Sequence, residues 1–205
     1  MIEASDPLVA RFVTTSDGLA QRVRLVGDGQ WSAPTPCTDW DVRSLVNHVA
    51  QANLNYVRLL AGATAAEFLR HRDADALGGD PVRAFDESGR ACAAAYAEPA
   101  ALQRVVDHPS GRLTGAQALA VRTVDTLIHT WDLARAIGVD DSLDPDVVSW
   151  VEANIREIYA GMAETPVSEQ TTHRFYAAPA GDLPAQSSTQ DRLLDLFGRR
   201  LNWRA

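Results

Sequence analysis

The stretch AQALAVRTVDTLIHTWDLARAI, residues 116–137, runs without a proline or glycine and stops at Gly138. Val121, Val124, Leu127, Ile128 and Trp131 recur along it at steps of three and four, the spacing of one face of an α-helix. A glycine just past the last periodic residue is a common stop, because it takes the left-handed conformation without a Cβ penalty. Working outward, Asp144-Pro145 pairs a capping carboxylate with a proline at the first helical position, where a missing N–H costs nothing, and opens a helix to about residue 162. Upstream, Pro109, Gly111 and Gly115 mark a turn-rich passage. Asp80-Pro81 repeats the cap-plus-proline signal after a Gly- and Asp-rich stretch, 73–79, and predicts a helix through Tyr96.

Before that, Thr38 or Asp39 can cap a helix running to about Gly62, with Leu45, Val49, Ala52, Tyr56 and Leu59 as its apolar stripe. Asp6-Pro7 opens the first helix, which Gly27 and Gly29 stop, and residues 31–38, with two prolines, read as a loop. Residues 164–186 hold three prolines, with a short strand or ordered excursion at 175–178. Ser187 or Ser188 then caps a last helix through Phe197. Long amphipathic helices and almost no alternating strand pattern predict an all-α, antiparallel four-helix bundle over 1–163, with a C-terminal extension, 164–205, packed on it.

Composition narrows the function. The net charge of −8 carries no basic block, and an acidic surface is repelled by phosphate backbones, so nucleic acid is excluded as a partner. No apolar run approaches the ~20 residues of a membrane span, and the N-terminus lacks the basic opening and apolar core of a secretory signal. The expectation is a cytoplasmic protein without a membrane partner. Cys37 and Cys92 are too few and too scattered for a disulfide framework. All 19 basic residues are Arg, a bias that reads as a GC-rich bacterial genome. No heptad pattern demands assembly, which predicts a monomer or weak homodimer.

Asp125 and His129 stand four apart on the predicted 116–137 helix, so their side chains project together and can converge on one ion. Two ligands are not a site, and both lie away from the Val121–Trp131 stripe, where a solvated polar face is the plainer reading. His48 falls at the margin of the apolar face of its helix, where a hydrogen-bonded core histidine is the plainer reading. His71, His108 and His173 sit in loop-like contexts as structural or surface residues. Cys37, near a helix start, reads as a small residue packed under Trp31 and Trp40 rather than as a nucleophile. Trp131-Asp132 reads as packing and a loop anchor. Gln51 and Asn55 can line a cavity or be exposed.

The stretch WSAPTPCTDWDVRSLVNHVA, residues 31–50, and the block ending His129-x-Trp131-Asp132-Leu133-Ala134 resemble the two signature blocks of the mycothiol-dependent maleylpyruvate isomerase-like branch of the DinB superfamily. Trp31, Pro34, Thr35, Pro36, Cys37, Trp40, Leu45 and His48 carry the first block. The closing RLLDLFGRRLNW also resembles the family's Gly-Arg pair ahead of a Trp, although Asn202 stands where a proline is common. The resemblance implies a DinB-like bundle and a metal held by His48, Asp125 and His129. It further implies mycothiol as co-substrate, and so a thiol transferase or isomerase whose metal activates a small thiol for attack on a small-molecule electrophile.

Two histidines and one carboxylate leave coordination positions open, as catalytic zinc sites do. The set also suits Ni or Fe, so zinc is the first expectation and a non-haem iron, oxygen-dependent enzyme an alternative. A non-catalytic metal- or ligand-binding stress protein is the alternative from another class. Cys37, about three turns from His48 along a continuous helix, is expected to fall short as a fourth ligand. Two outcomes follow from the sequence: a far-UV dichroism spectrum dominated by helix, and no shift of DNA or RNA in gels at physiological salt.

Overall fold

The capped helices form where the sequence signals stand. In the computed structural model, which describes residues 6–162, 181, 183–184 and 186–204, α1 spans Pro7–Val23, α2 Val42–Leu60, α3 Ala65–His71 and α4 Pro81–Ala97. They are followed by β1 (Val105–His108), β2 (Gly111–Thr114), α5 (Gly115–Ile137), α6 (Pro145–Ile158) and α7 (Thr189–Leu196). Asp6, Asp80 and Asp144 each accept a backbone N–H in the first turn, with proline just inside. Gly138 ends α5 in the left-handed conformation, φ 72°.

Helices α1, α2, α4 and α5 make the DinB-like antiparallel four-helix bundle: α1 packs chiefly on α5 and α2 on α4, while α2–α5 and α1–α4 contacts close the ring. Its interior holds Leu19, Leu45, Val49 and Leu133 towards one end and Phe12, Tyr56, Cys92 and Leu119 towards the other. Helices α6 and α7 lie outside this ring. They cover the opposite side of α5, where Val121, Val124, Leu127, Ile128 and Trp131 join Val147, Val151, Leu193, Leu194 and Phe197 in a second apolar layer.

That arrangement corrects the wheel reading of α5. The stripe from Val121 to Trp131 faces the added α6–α7 layer, and the side carrying Asp125 and His129 turns into the bundle, so the solvated polar face does not exist. Nearly every residue of α5 is buried, and His129 is only 4% exposed. Periodicity reports one apolar face; it does not show that a second sheath of helices will cover it.

Other departures are local. Helix α1 ends at Val23 rather than near Gly27, and α6 at Ile158 rather than near residue 162. Helix α2 starts at Val42, capped by Asp41 whose carboxylate accepts Ser44 N–H at 2.8 Å, rather than at Thr38 or Asp39. Thr35 diverts the chain before that, its hydroxyl bonding the Trp40 and Cys37 carbonyls and accepting Cys37 N–H. The turn-rich passage is a hairpin, with Val105 opposite Thr114 and His108 opposite Gly111. Four residues per strand are too few for alternation to stand out in sequence. The short α3, held by a Thr64–Glu67 capping box, was not expected either. The 175–178 segment, His173 and the 163/164 boundary lie outside the described residues.

The segment leading into the hairpin is held close against the start of α5. A Cβ at Gly115 would stand 2.0 Å from the Ala101 carbonyl oxygen and 3.1 Å from Leu102 Cα, both backbone atoms that cannot step aside. Gly115→Ala is therefore expected to destabilise the fold by about 2–4 kcal/mol, the cost of forced overpacking. Urea denaturation checks it, with an unchanged m-value.

Candidate functional site

Three helical positions meet at one end of a cavity of about 320 Å³. His48 comes from the second turn of α2, and Asp125 and His129 from successive turns of α5. His48 Nε2 stands 3.4 Å from Asp125 Oδ2, and His129 Nε2 stands 3.4 Å from Asp125 Oδ1. The two imidazole centroids are 5.0 Å apart, edge to face, and the ligand-type atoms of the three residues all lie within 4.8 Å of one another. Trp40 lies against the His48 ring at 4.5 Å between centroids, packed there by the Thr35 turn.

The opposite edge of His129 is equally well held. Its Nδ1 lies 2.9 Å from Asp132 Oδ2, and Asp132, fully buried, is clamped by Arg199, whose Nε donates to Oδ1 at 2.9 Å and whose Nη2 donates to Oδ2. Arg199 follows α7, in the closing Gly-Arg pair. An imidazole whose Nδ1–H is donated to a carboxylate turns Nε2 to the opposite side, so this chain orients His129 Nε2 towards Asp125 and the cavity. Cys37 enters the same group: its thiol donates to Asp132 Oδ2 at 3.3 Å, lies 3.9 Å from His129 Nδ1 and receives Arg199 Nη2 at 3.3 Å. Cys37 was expected to fall short along a continuous helix. Because the chain doubles back before Asp41, it instead reaches the far edge of His129.

Burial on its own would raise the Asp125 carboxyl, but the Arg122 guanidinium, 2.8 Å away, and the two histidines hold it well below the ordinary carboxylate range. For Asp132 burial is likewise overcome, chiefly by Arg199, and its pKa falls to about 2. Burial opposes protonation of His129, yet Asp125 and Asp132 together hold its pKa well above the ordinary imidazole value. His48 goes the other way, pushed down by burial despite Asp125. Burial and then the Asp132 charge push the Cys37 thiol up, which favours its reading as a packed thiol over a nucleophile.

Asp125 Oδ2 is a buried oxygen that receives no hydrogen bond of good geometry, although charges surround it. A carboxylate whose two oxygens each face an imidazole nitrogen at 3.4 Å, with Arg122 Nη1 2.8 Å from Oδ2, has the chemistry of a divalent-cation donor set. His48, Asp125 and His129 could therefore hold an ion, and Cys37, His129 and Asp132 are a second ligand-type group sharing one imidazole.

The rest of the cavity was largely missed in sequence. Asn55, buried, does line it; Gln51 is buried too, donating to Asn55 Oδ1 at 3.3 Å. Tyr56, read as core, faces the cavity, as do Phe68 from α3 and Arg122 from α5. Of the two readings of His108, structural or surface, its burial supports the first: it is 3% exposed, lines the cavity and meets Tyr56 Oη at 3.1 Å through Nε2. Its one sequence signal was a histidine directly before the turn Pro109-Ser110-Gly111. Asp132, read as a loop anchor, carried the signal of a carboxylate three residues after His129.

A polar cluster of two partly buried residues and one buried histidine, at the head of a cavity, defines a class of helical-bundle proteins with a candidate site between facing helices. The mycothiol maleylpyruvate isomerase N-terminal domain family matches residues 13–134, more than half of the chain, and the chain belongs to that family. Two uncharacterized proteins, from two strains of Mycobacterium tuberculosis, are each 29% identical over 142 residues, covering 69% of this chain and 73% of theirs. The crystal structure of the mycothiol-dependent maleylpyruvate isomerase is similar in fold, with a TM-score of 0.55 and 16% identity over 73% of this chain and 70% of that one. No helix among the described residues is long and apolar enough to cross a membrane.

His108 makes stability pH-dependent. Burial lowers its pKa from 6.5 to about 4, so the unfolded chain takes up a proton that the native protein refuses. Stability is then full above about pH 6.5 and falls on acidification towards pH 4, by up to about 3 kcal/mol at 1.36 kcal/mol per unit. Asp132, depressed to about 2, adds a loss only below about pH 4. Chemical denaturation at pH 7 and pH 5 is expected to show the first effect in the wild type and a flattened slope in His108→Leu.

Proposed function

We propose that this protein is a metal-dependent thiol transferase or isomerase in which His48 Nε2, His129 Nε2 and a carboxylate oxygen of Asp125 hold one divalent ion, zinc before nickel or iron. The single observation that carries the reading is that the three ligand-type atoms lie within 4.8 Å of one another, His48 Nε2 standing 3.4 Å from Oδ2 and His129 Nε2 3.4 Å from Oδ1 of Asp125. The buried Asp125 oxygen without a hydrogen bond supports it, as does the open cavity beside the three residues. When bound, such an ion supplies the positive charge that lets a small thiol lose its proton near neutral pH and still act as a nucleophile.

The remaining work falls to the chain. Asp132 accepts Nδ1–H of His129 and fixes its tautomer; Arg199 keeps Asp132 ionised and in place. Arg122 balances the Asp125 charge and aims that carboxylate at the two imidazoles. Trp40 stacks on His48 and closes one wall against water. The cavity leads from this point to Tyr56, Phe68 and His108, which gives the electrophile a place beside the thiol. Membership in a family named for a mycothiol-dependent isomerase supports mycothiol as that thiol. The chain folds and works in this reading as one unit, the bundle at 1–163 bearing the metal and the segment 164–205 supplying Arg199 to it, in the cytoplasm, as a monomer or weak homodimer.

Two measurements test it. His48→Ala and His129→Ala are expected to lose stoichiometric metal after dialysis against a mild chelator, and Asp125→Ala to weaken binding severely, since each removes one of three ligands. Helicity should survive, with unfolding midpoints lower by a few degrees, as loss of a native-state ligand requires. Full metal content in His48→Ala refutes the site. The Co(II)-substituted protein should also gain an intense sulfur-to-metal charge-transfer band on addition of mycothiol or its desacetyl analogue; an unchanged spectrum refutes the thiol.

A further inference from the structure

The far end of the cavity has a polar group that the metal reading leaves unused. Tyr56 lies eight residues after His48 on α2, about 12 Å along the helix axis at 1.5 Å per residue. Its ring packs edge to face with Phe68 and His108, at 6.0 and 5.6 Å between centroids, and Phe68 packs on His108 at 5.5 Å. Among the described residues three rings wall this end, and Tyr56 lines the cavity although it is only 4% exposed.

The hydrogen bonds fix where protons sit. Ser110 N–H donates to His108 Nδ1 at 3.1 Å, so that nitrogen carries no proton. Burial keeps the imidazole neutral at pH 7, which leaves its one proton on Nε2. That N–H faces Tyr56 Oη at 3.1 Å and donates to it. The phenol thus receives a hydrogen bond through its oxygen and still has its own proton to give. Among the described residues the Tyr56 hydroxyl has no acceptor, and a buried hydroxyl proton without one costs free energy unless a ligand supplies it. Burial also raises the Tyr56 pKa, which keeps the phenol a donor rather than a source of charge.

We propose that Tyr56, positioned by His108, is the hydrogen-bond donor to a neutral carbonyl oxygen of the electrophilic substrate, whose planar apolar body packs against Tyr56, Phe68 and Leu69. Phenol and imidazole are uncharged, and the nearby cations are already paired, Arg122, 6.0 Å from the Tyr56 ring, with Asp125 and Arg72 with Asp73, so a ketone, enone, ester or quinone oxygen fits better than a carboxylate. This rests on the thiol-transfer reading for what happens to the substrate, but recognition of the oxygen can be measured without turnover.

The probe is trans-4-phenyl-3-buten-2-one, compared with trans-1-phenyl-1-butene, the same skeleton without the ketone oxygen. Dissociation constants come from ligand-observed NMR on the full chain, with and without added zinc. Wild-type protein is expected to prefer the ketone by on the order of tenfold, because a site with an unpaired donor discriminates against a ligand that lacks the acceptor. Tyr56→Phe, which removes one oxygen and keeps the ring, should abolish that preference while leaving metal content and alkene affinity unchanged. His108→Leu should reduce the preference, since the phenol is no longer held; a merely structural role would not move this ratio. Equal affinity for ketone and alkene in the wild type, or an undiminished preference in Tyr56→Phe, overturns the proposal. Failure of the cobalt spectrum with retention of the Tyr56-dependent preference overturns the thiol reading alone.

Discussion

Helix α5 carries Arg122, Asp125, His129 and Asp132 into the protein interior, and burying that much charge is tolerated only because every group has an opposite partner. Arg122 answers Asp125, Arg199 answers Asp132, and the His129 imidazole sits between the two carboxylates with one nitrogen turned to each. Remove either arginine and a carboxylate is left stranded in low dielectric. The pairing is therefore a condition of the fold as well as of the site, and it explains why the chain after α7 must return to α5: the partner of Asp132 lies there.

The same constraint orders the second layer. Because α5 turns its charged side inward, its apolar stripe faces out, and helices α6 and α7 supply the cover that stripe requires. A bare four-helix bundle would leave Val124, Ile128 and Trp131 in water. The extra helices thus follow from turning the charged side of α5 inward.

The cavity inherits a gradient from this arrangement. At the His48–Asp125–His129 end it is ionic and held by charge-assisted hydrogen bonds, which are short and directional. At the Tyr56–His108 end it is aromatic, with the paired Arg122 guanidinium 6.0 Å from the Tyr56 ring. A molecule bound along it meets a charged head and an apolar foot, the pattern of a site with a few placed polar groups in an apolar wall.

Four helix limits were legible in the sequence because capping is local: Asp6-Pro7, Asp80-Pro81, Asp144-Pro145 and Gly138 act on their own turns and each stands where it was read, whereas α3, the start of α2 and the ends of α1 and α6 were not. The convergence of His48, Asp125 and His129 was visible only through the resemblance, since the spacing of Asp125 and His129 says that they share a face and nothing about what faces them. Which side of α5 lies inside, the doubling back that brings Cys37 to His129, the hairpin that buries His108 and the return of Arg199 were decided by tertiary structure alone. Periodicity measures how apolar a face is, whereas burial depends on which segments of the chain arrive to cover it, and those segments are up to 162 residues apart in the sequence.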